Sequence, residues 1–217
     1  VFVYTGTSAQ TNIIDKMEEL GIPYAVDNEY MEEDFRGRME WTKFLGSFFN
    51  KDEEAVAYVE QQEANIDEME AAVEGADQPK VAWGMVYDGV VYVPNGGSYV
   101  AKEIEAAGGD YLFKDLEPDS TSSSQISMED FYLTLMEADI WIYSSNKNYV
   151  ADYAALTELM PLAADAPVVK EKNVWQFSVD YYTRTDQTDQ QVVELARIFH
   201  PDLFEEAEFV HYNKLAE

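Results

Sequence analysis

The chain has 217 residues, of which 47% are hydrophobic, 14% aromatic and 26% charged, enough apolar material for one or two cores. Its 43 acidic residues against 14 basic ones leave a net charge of −29. That balance argues strongly against a nucleic-acid binder, because neutralising phosphates needs clustered cations, and it disfavours anionic membrane surfaces for the same reason. Cysteine is absent, which excludes disulfides, thiolate metal sites and cysteine nucleophiles.

Val1 to Tyr4 has the composition of a buried strand. It leads through the turn-forming Thr5-Gly6-Thr7-Ser8 into a helix from about Ala9 to Leu20, with Ile13, Ile14, Met17 and Leu20 on one face. Gly21 stops that helix, and Ile22-Pro23-Tyr24-Ala25-Val26 reads as a second strand, so residues 1–26 form one parallel β-α-β unit. The start carries no cationic segment or cleavage signature and falls directly on a strand-like run, which suggests a chain cut from a longer one. No apolar run approaches the ~20 residues of a membrane span.

From Asp34 to Glu74 helical periodicity continues without proline. As one helix, roughly forty residues would rise ~60 Å, too long to lie inside one ordinary domain. A break near Asn50-Lys51-Asp52, with Asp52 capping a second helix, is equally compatible. Either way the segment reads as a connector between two lobes. Val56, Val59, Ile66, Met69 and Val73 make a stripe suited to core packing.

Beyond Gln78-Pro79, Val81–Tyr87 and Val90–Val93 read as a strand pair around the Asp88-Gly89 turn. A helix over 98–107 ends at Gly108-Gly109, Tyr111–Phe113 is a short strand, and Glu117–Gln125 is a polar surface loop. Ser127 caps a helix through Met136, with Asp130 at the position of a capping-box acid. Ala138–Tyr143 is a buried strand, 150–160 a helix, Asn173–Phe177 a strand, and Asp189–Phe199 a helix stopped by His200-Pro201. The fold class is therefore α/β: two lobes with mainly parallel sheets joined by a long backbone helix. Residues 1–33 form a partial first lobe, 34–76 the connecting helix and 77–217 the second lobe.

Several stretches in order resemble one family. They are Gly21-Ile22-Pro23 leading to Asn28-Glu29-Tyr30, Gly37-Arg38-Met39-Glu40-Trp41-Thr42-Lys43-Phe44-Leu45-Gly46, and Tyr92-Val93-Pro94-Asn95-Gly96-Gly97-Ser98-Tyr99-Val100. Ile126-Ser127-Met128-Glu129 ahead of Ala138–Ile142, and Phe199-His200-Pro201-Asp202-Leu203-Phe204, complete the set. Together they resemble the substrate-binding proteins of ABC importers for ferric siderophores, haem and vitamin B12. The resemblance implies a ligand in the cleft between two α/β lobes, little hinge motion, and an extracytoplasmic location, in the periplasm or lipid-anchored at the cell surface. It also implies that most of a first lobe precedes the position of Val1. Ser127-Met128-Glu129 resembles the second-lobe segment whose glutamate docks onto arginines of the membrane permease, which makes Glu129 the permease-docking candidate.

Ligands of open parallel sheets bind at the carboxyl ends of the strands, so the loops after Tyr4, Val26, Trp83–Tyr87, Val93, Tyr143 and Phe177 should face the cleft. Tyr30, Trp83, Tyr87, Tyr92, Tyr99, Tyr143, Tyr181 and Tyr182 supply flat apolar surface with a phenol or indole donor, suited to a ring-bearing ligand or an iron chelate, though such aromatics also serve as core. Gly96-Gly97-Ser98 before a helix offers backbone N–H groups for an anion, or simply a turn that needs glycine. Arg184 is the candidate to hold an oxyanion, whereas Arg38 is expected to pair with an acid such as Glu29.

With two histidines, His200 and His211, a His-rich metal site is not expected and no Ser-His-Asp arrangement is plausible. Haem ligation by tyrosine stays open. No cofactor is called for beyond iron or cobalt carried by a transported ligand. Three functions remain in play: a receptor for an iron chelate, haem or corrinoid, a ligand-free interaction domain, and a carboxylate-based hydrolase. A partial first lobe would also leave an open sheet edge able to pair with a second copy in a homodimer.

Overall fold

The computed structural model describes residues 1–4 and 8–217, with the backbone alone at residues 2, 4 and 8–11. The turn expected over 5–7, and with it the cleft loop after Tyr4, lies outside the described residues. β1 (Phe2–Tyr4), α1 (Ser8–Leu20) and β2 (Ala25–Asp27) form the predicted β-α-β unit, the strands parallel with Phe2 opposite Ala25. Gly21 closes α1 at φ +64°, a conformation glycine adopts without strain.

The connector is two helices folded against each other, not an extended rod. α2 (Phe35–Ser47) starts at Asp34, whose carboxylate accepts the Arg36 N–H at 2.9 Å, and α3 (Asp52–Val73) starts on three consecutive acids that favour the positive end of the helix dipole. Asn50, at φ +55°, turns the chain back between them. Gly46 permits the close approach, since a Cβ there would lie 2.6 Å from that of Ala55. At the open end of the hairpin Arg36 reaches Asp67 at 2.9 Å and Glu70 at 3.1 Å. The buried stripe of α3 is Ala55, Val59, Gln62, Ile66, Met69 and Val73, while Val56, expected in that stripe, faces solvent.

The predicted 81–87 run divides at Gly84. Its first part, β3 (Lys80–Trp83), enters a five-stranded sheet, and its second, β4 (Met85–Tyr87), turns through Asp88-Gly89 into β5 (Val90–Pro94). A Cβ at Gly84 would meet the Tyr92 carbonyl and the Phe131 ring, so the crossing of the two sheets requires glycine. α4 (Tyr99–Ala106) and β6 (Asp110–Tyr111) follow. The polar 117–125 stretch is only partly loop, because β7 (Ser123–Ile126) pairs with β5 through its backbone, which its serines do not announce. α5 (Met128–Leu135) carries the predicted cap: the Ser127 hydroxyl accepts the Asp130 N–H at 3.0 Å and donates to its carboxylate at 2.7 Å.

β8 (Ile140–Asn146), α6 (Tyr153–Leu159), α7 (Pro167–Lys170), β9 (Val174–Phe177), α8 (Thr188–Phe199) and β10 (Tyr212–Lys214) complete the chain. The large sheet runs β10-β9-β8-β3-β6, parallel except for β10. Side chains alternate across it: Val81, Trp83, Ile140 and Ile142 pack with α3, α4 and α8, whereas Ala82, Trp141 and Val174 pack with α5 to α7 and the β4-β5 hairpin. The sheet is thus covered on both faces. α3 is tied to α8 by Asp189, a buried acid that accepts from Gln62 at 2.9 Å and Asn65 at 2.7 Å.

One carboxylate fixes the closing strand. Glu194 of α8 is buried and accepts from the N–H groups of Val210 at 2.8 Å, His211 at 2.9 Å and Tyr212 at 3.3 Å, and it bonds the His211 ring at 3.0 Å. The far ring nitrogen of His211 meets Gln187 at 3.1 Å. Truncation of Glu194 to alanine strands three backbone donors and a histidine in the interior, so Glu194→Ala should lose about 3–5 kcal/mol. Denaturant unfolding of the two proteins measures this, and a loss below about 1 kcal/mol would mean that β10 is held by something else.

Candidate functional site

β3 and β9 end at Trp83 and Phe177, and β8 passes Ser144 at the same edge. Above them lies a cavity of about 230 Å³, lined by the rings of Trp83, Tyr92, Tyr99, Phe177, Tyr181 and Tyr182 together with Met85, Pro94, Val100, Ser123 and Ser144. Its position at the carboxyl ends of parallel strands is the one expected of a ligand site in this architecture. No Asp, Glu, Lys, Arg or His lines it, although 26% of the chain is charged. Two larger grooves, of about 800 and 560 Å³, are lined by acids such as Asp67, Glu70, Glu68 and Glu208 and lie along the helices, away from the strand ends.

The aromatic wall is ordered by ring geometry. Phe177 and Tyr181 stack with centroids 3.8 Å apart and planes 4° from parallel, and Tyr182 stands edge-on to both. Trp83 meets the Phe177 ring edge-on at 5.6 Å, and the Tyr181 hydroxyl shares a 3.2 Å hydrogen bond with that of Tyr212. The turn after β9 sets these positions. The Ser178 N–H donates to the His211 carbonyl at 2.8 Å, and the Ser178 hydroxyl and Arg184 guanidinium both donate to Asp180.

Beside Tyr99 lies a charged layer between the turn before α2, α2 itself and α4. Arg38 donates its Nε–H to Glu29 at 2.6 Å and lays its guanidinium over the Tyr99 ring, 4.1 Å from the centroid. One turn along α4 from Tyr99, Glu103 is fully buried and neither carboxylate oxygen has a hydrogen-bond partner. Burial pushes its carboxyl up to about 7, against the pull of Arg38 and with the help of Asp34. Burial likewise raises the phenols of Tyr99 and Tyr181, so they stand at the cavity as neutral groups, whereas Tyr182 is largely exposed.

Of the residues expected at the site, Trp83, Tyr92, Tyr99, Tyr181 and Tyr182 come together around the cavity. Others do not. Tyr143 is buried among Trp141, Val150 and Tyr153 on the opposite face of the sheet, its hydroxyl donating to the Val86 carbonyl at 3.4 Å and its phenol pushed up to about 12 by burial. Strand alternation sends it there. Tyr87 is exposed on the β4-β5 hairpin, edge-on to Tyr92 at 6.3 Å, and Tyr30 is half-buried on the Glu29–Met31 turn.

Ser98 is the buried cap of α4, accepting the Ala101 N–H at 3.3 Å. The expected anion seat is closed beside it: the Gly96 N–H donates to the Leu116 carbonyl at 2.7 Å, and a Cβ on Gly96 would collide with the Lys114 backbone. Arg184 is held by Asp180 at 2.6 Å and does not reach the cavity. Glu129 is exposed in the first turn of α5. His200 contacts the carbonyl of Gly108, beyond the end of α4, at 3.2 Å. Phe177 and Glu103 were not among the expected site residues; the signal for Glu103 was an acid on the apolar face of α4 beside Val100 and Ile104. Among the described residues no group of three or more acids or histidines converges to hold a metal ion.

Comparison with known proteins agrees with this fold. The chain is 37% identical to an uncharacterized lipoprotein of Methanocaldococcus jannaschii, an alignment covering 98% of this chain and 51% of the relative. The chain therefore spans about half the length of that relative. Similar solved structures include a periplasmic haem-binding protein from Roseiflexus sp. RS-1 in apo form, with TM-score 0.75, 17% identity and coverage of 94% of this chain and 76% of that one. A periplasmic haem-binding protein from Pseudomonas aeruginosa gives TM-score 0.71 and 15% identity, with coverage of 92% and 71%. At these identities the likeness is one of fold. The family model described as "Periplasmic binding protein" matches residues 3–178, from β1 through the turn after β9, and the chain belongs to that family.

Proposed function

We propose that this chain is the ligand-capturing part of an extracytoplasmic binding protein serving an ABC importer, with an iron-siderophore, haem or corrinoid as cargo. The observation that carries the reading is the uncharged aromatic cavity at the strand ends of a strongly acidic chain. Ring faces with neutral phenol donors suit a large conjugated or chelate ligand better than a small ion. At about 230 Å³ the cavity is smaller than a pocket that encloses such a ligand, which fits a cleft wall completed by first-lobe residues in a longer protein. The lipoprotein among the relatives supports an extracytoplasmic setting, and no described helix is long and apolar enough to cross a membrane. The family is one of binding proteins, and no step of chemistry is required of the site.

Exposed Glu129, beside exposed Leu133 and Met136 on α5, is proposed to dock onto cationic side chains of the permease. Around the two-stranded sheet Val1, Ile13, Leu20 and Ile22 remain exposed, which supports pairing of this edge with a second copy when the chain stands alone.

A panel of haemin, ferric hydroxamate and catecholate siderophores, and cobalamin tests the cargo. One class should raise the melting temperature by roughly 5–10 °C at a hundredfold excess over its dissociation constant, and Tyr182→Ala should weaken it about tenfold or more. Quenching of Trp83 fluorescence gives a second readout. No response to any member would favour the ligand-free interaction domain.

Glu129→Arg should cut uptake through the cognate permease about tenfold while leaving cargo affinity unchanged, measured in reconstituted vesicles. Equal uptake would remove Glu129 from the docking surface. Sedimentation of the isolated chain at micromolar concentration should show a dimer, and a monomer would reject the edge pairing.

A further inference from the structure

Glu103 has no role in holding the fold that its surroundings explain. It is fully buried, both oxygens lack partners, and a buried carboxylate without hydrogen bonds is costly unless it is protonated or its charge is used. It stands behind the cavity wall, on the same helix as Tyr99 and within the electrostatic reach of Arg38, Tyr99 and Tyr182. Resting on the capture reading above, we propose that Glu103 selects cargo by charge: ionised, it leaves the cleft floor negative and turns away anions, and protonated, it leaves Arg38 and Glu29 balanced and admits them.

The surrounding charges support that role. From α2 and its cap come Arg38 and Asp34, and Asp34 itself lies 3.8 Å from Lys102. From the turn before α2 comes Glu29, already bonded to Arg38. The remaining titratable neighbours are phenols: Tyr99 on α4, Tyr181 and Tyr182 after β9, and Tyr212 on β10. The acids of α8 are engaged elsewhere, Asp189 by Gln62 and Asn65 and Glu194 by His211. Glu103 is therefore the group whose proton decides between a neutral and a negative floor. Its carboxyl, lifted by burial to about 7, changes state within the neutral range.

Linkage fixes the signs. An anion in the cleft favours the protonated form of Glu103, so its capture takes up protons and weakens as pH rises, whereas a cation shows the reverse. Without ligand, the folded chain holds a proton that the unfolded chain releases near 4.5. Stability contributed by that proton is lost between about pH 4.5 and 7, and Glu103→Gln should melt higher than the native chain above pH 7, with the gap closing toward pH 4.5.

The test uses gallium(III) protoporphyrin, a fluorescent diamagnetic anion, and ferrioxamine B, a cation, titrated against the native chain and Glu103→Gln from pH 6 to 8.5. Native affinity for the porphyrin should fall about tenfold over that range, ferrioxamine affinity should rise, and both slopes should vanish in the variant. Should Glu103→Gln fail to fold, the carboxyl carbon resonance of Glu103 in the native chain carries the test: its midpoint should lie near neutrality and move upward with the porphyrin bound. Binding with equal slopes in both proteins, or a midpoint in the ordinary carboxylate range, overturns the selector and leaves the capture reading standing. Failure of both probes to bind either protein sinks the capture reading and this inference with it.

Discussion

The buried carboxylate of Glu194 is the constraint on which the cleft depends. It gathers the backbone N–H groups of Val210, His211 and Tyr212, and so holds β10 against β9. That strand delivers the Tyr212 ring to a cluster with Trp83, Phe177 and Tyr181. Three of those four rings are cavity wall. A single buried carboxyl group thus positions flat apolar surfaces some distance from itself, through the donors it gathers. Asp189, one turn earlier on α8, does the same for α3 through Gln62 and Asn65. Together the two acids make α8 the member that joins connector, sheet edge and cavity.

Arg38 gives the junction its second constraint. Its guanidinium is committed to Glu29 along one edge and to the Tyr99 face on the other, so the turn before α2 and the start of α4 are held through one side chain. The α2-α3 hairpin adds stiffness, because Gly46 lets the helices touch and Arg36 closes their open end on Asp67 and Glu70. These last pairs are partly exposed and contribute little each, whereas the Arg38 contact is shielded and directional.

Much of this was legible in the residues. Periodicity located α1, α3, α5 and α8, Ser127 and Asp130 announced the cap of α5, and an unbroken apolar run marked β8 as a buried strand. The fold-back of the connector was not legible, because helical spacing is identical in a rod and in a hairpin, and only the left-handed Asn50 and the contact of Gly46 with Ala55 distinguish them. β7 was hidden for a related reason: a polar edge strand is specified by its partner's backbone. Strand ends pointed to the rim where the cavity lies, but aromatic identity could not separate Trp83, which lines the cavity, from Tyr143, which the same alternation sends into the opposite core. The ion pair of Arg184 was not legible, because its partner Asp180 lies four residues away on an irregular turn.

The distribution of charge carries the last step. A chain with net charge −29 surrounds itself with a field that repels anions over several ångströms at physiological salt. Its larger grooves share that field, since acids line them. The cavity at the strand ends departs from it: its walls are rings, aliphatic groups and hydroxyls, and burial keeps the phenols of Tyr99 and Tyr181 protonated. Two ion pairs border those walls, Arg38 with Glu29 against the Tyr99 ring and Arg184 with Asp180 on the turn of Tyr181 and Tyr182, and within each the charges cancel. The protonation of Glu103 then determines the electrostatic character of the floor, because in a desolvated site a single unpaired charge outweighs many screened ones on the surface.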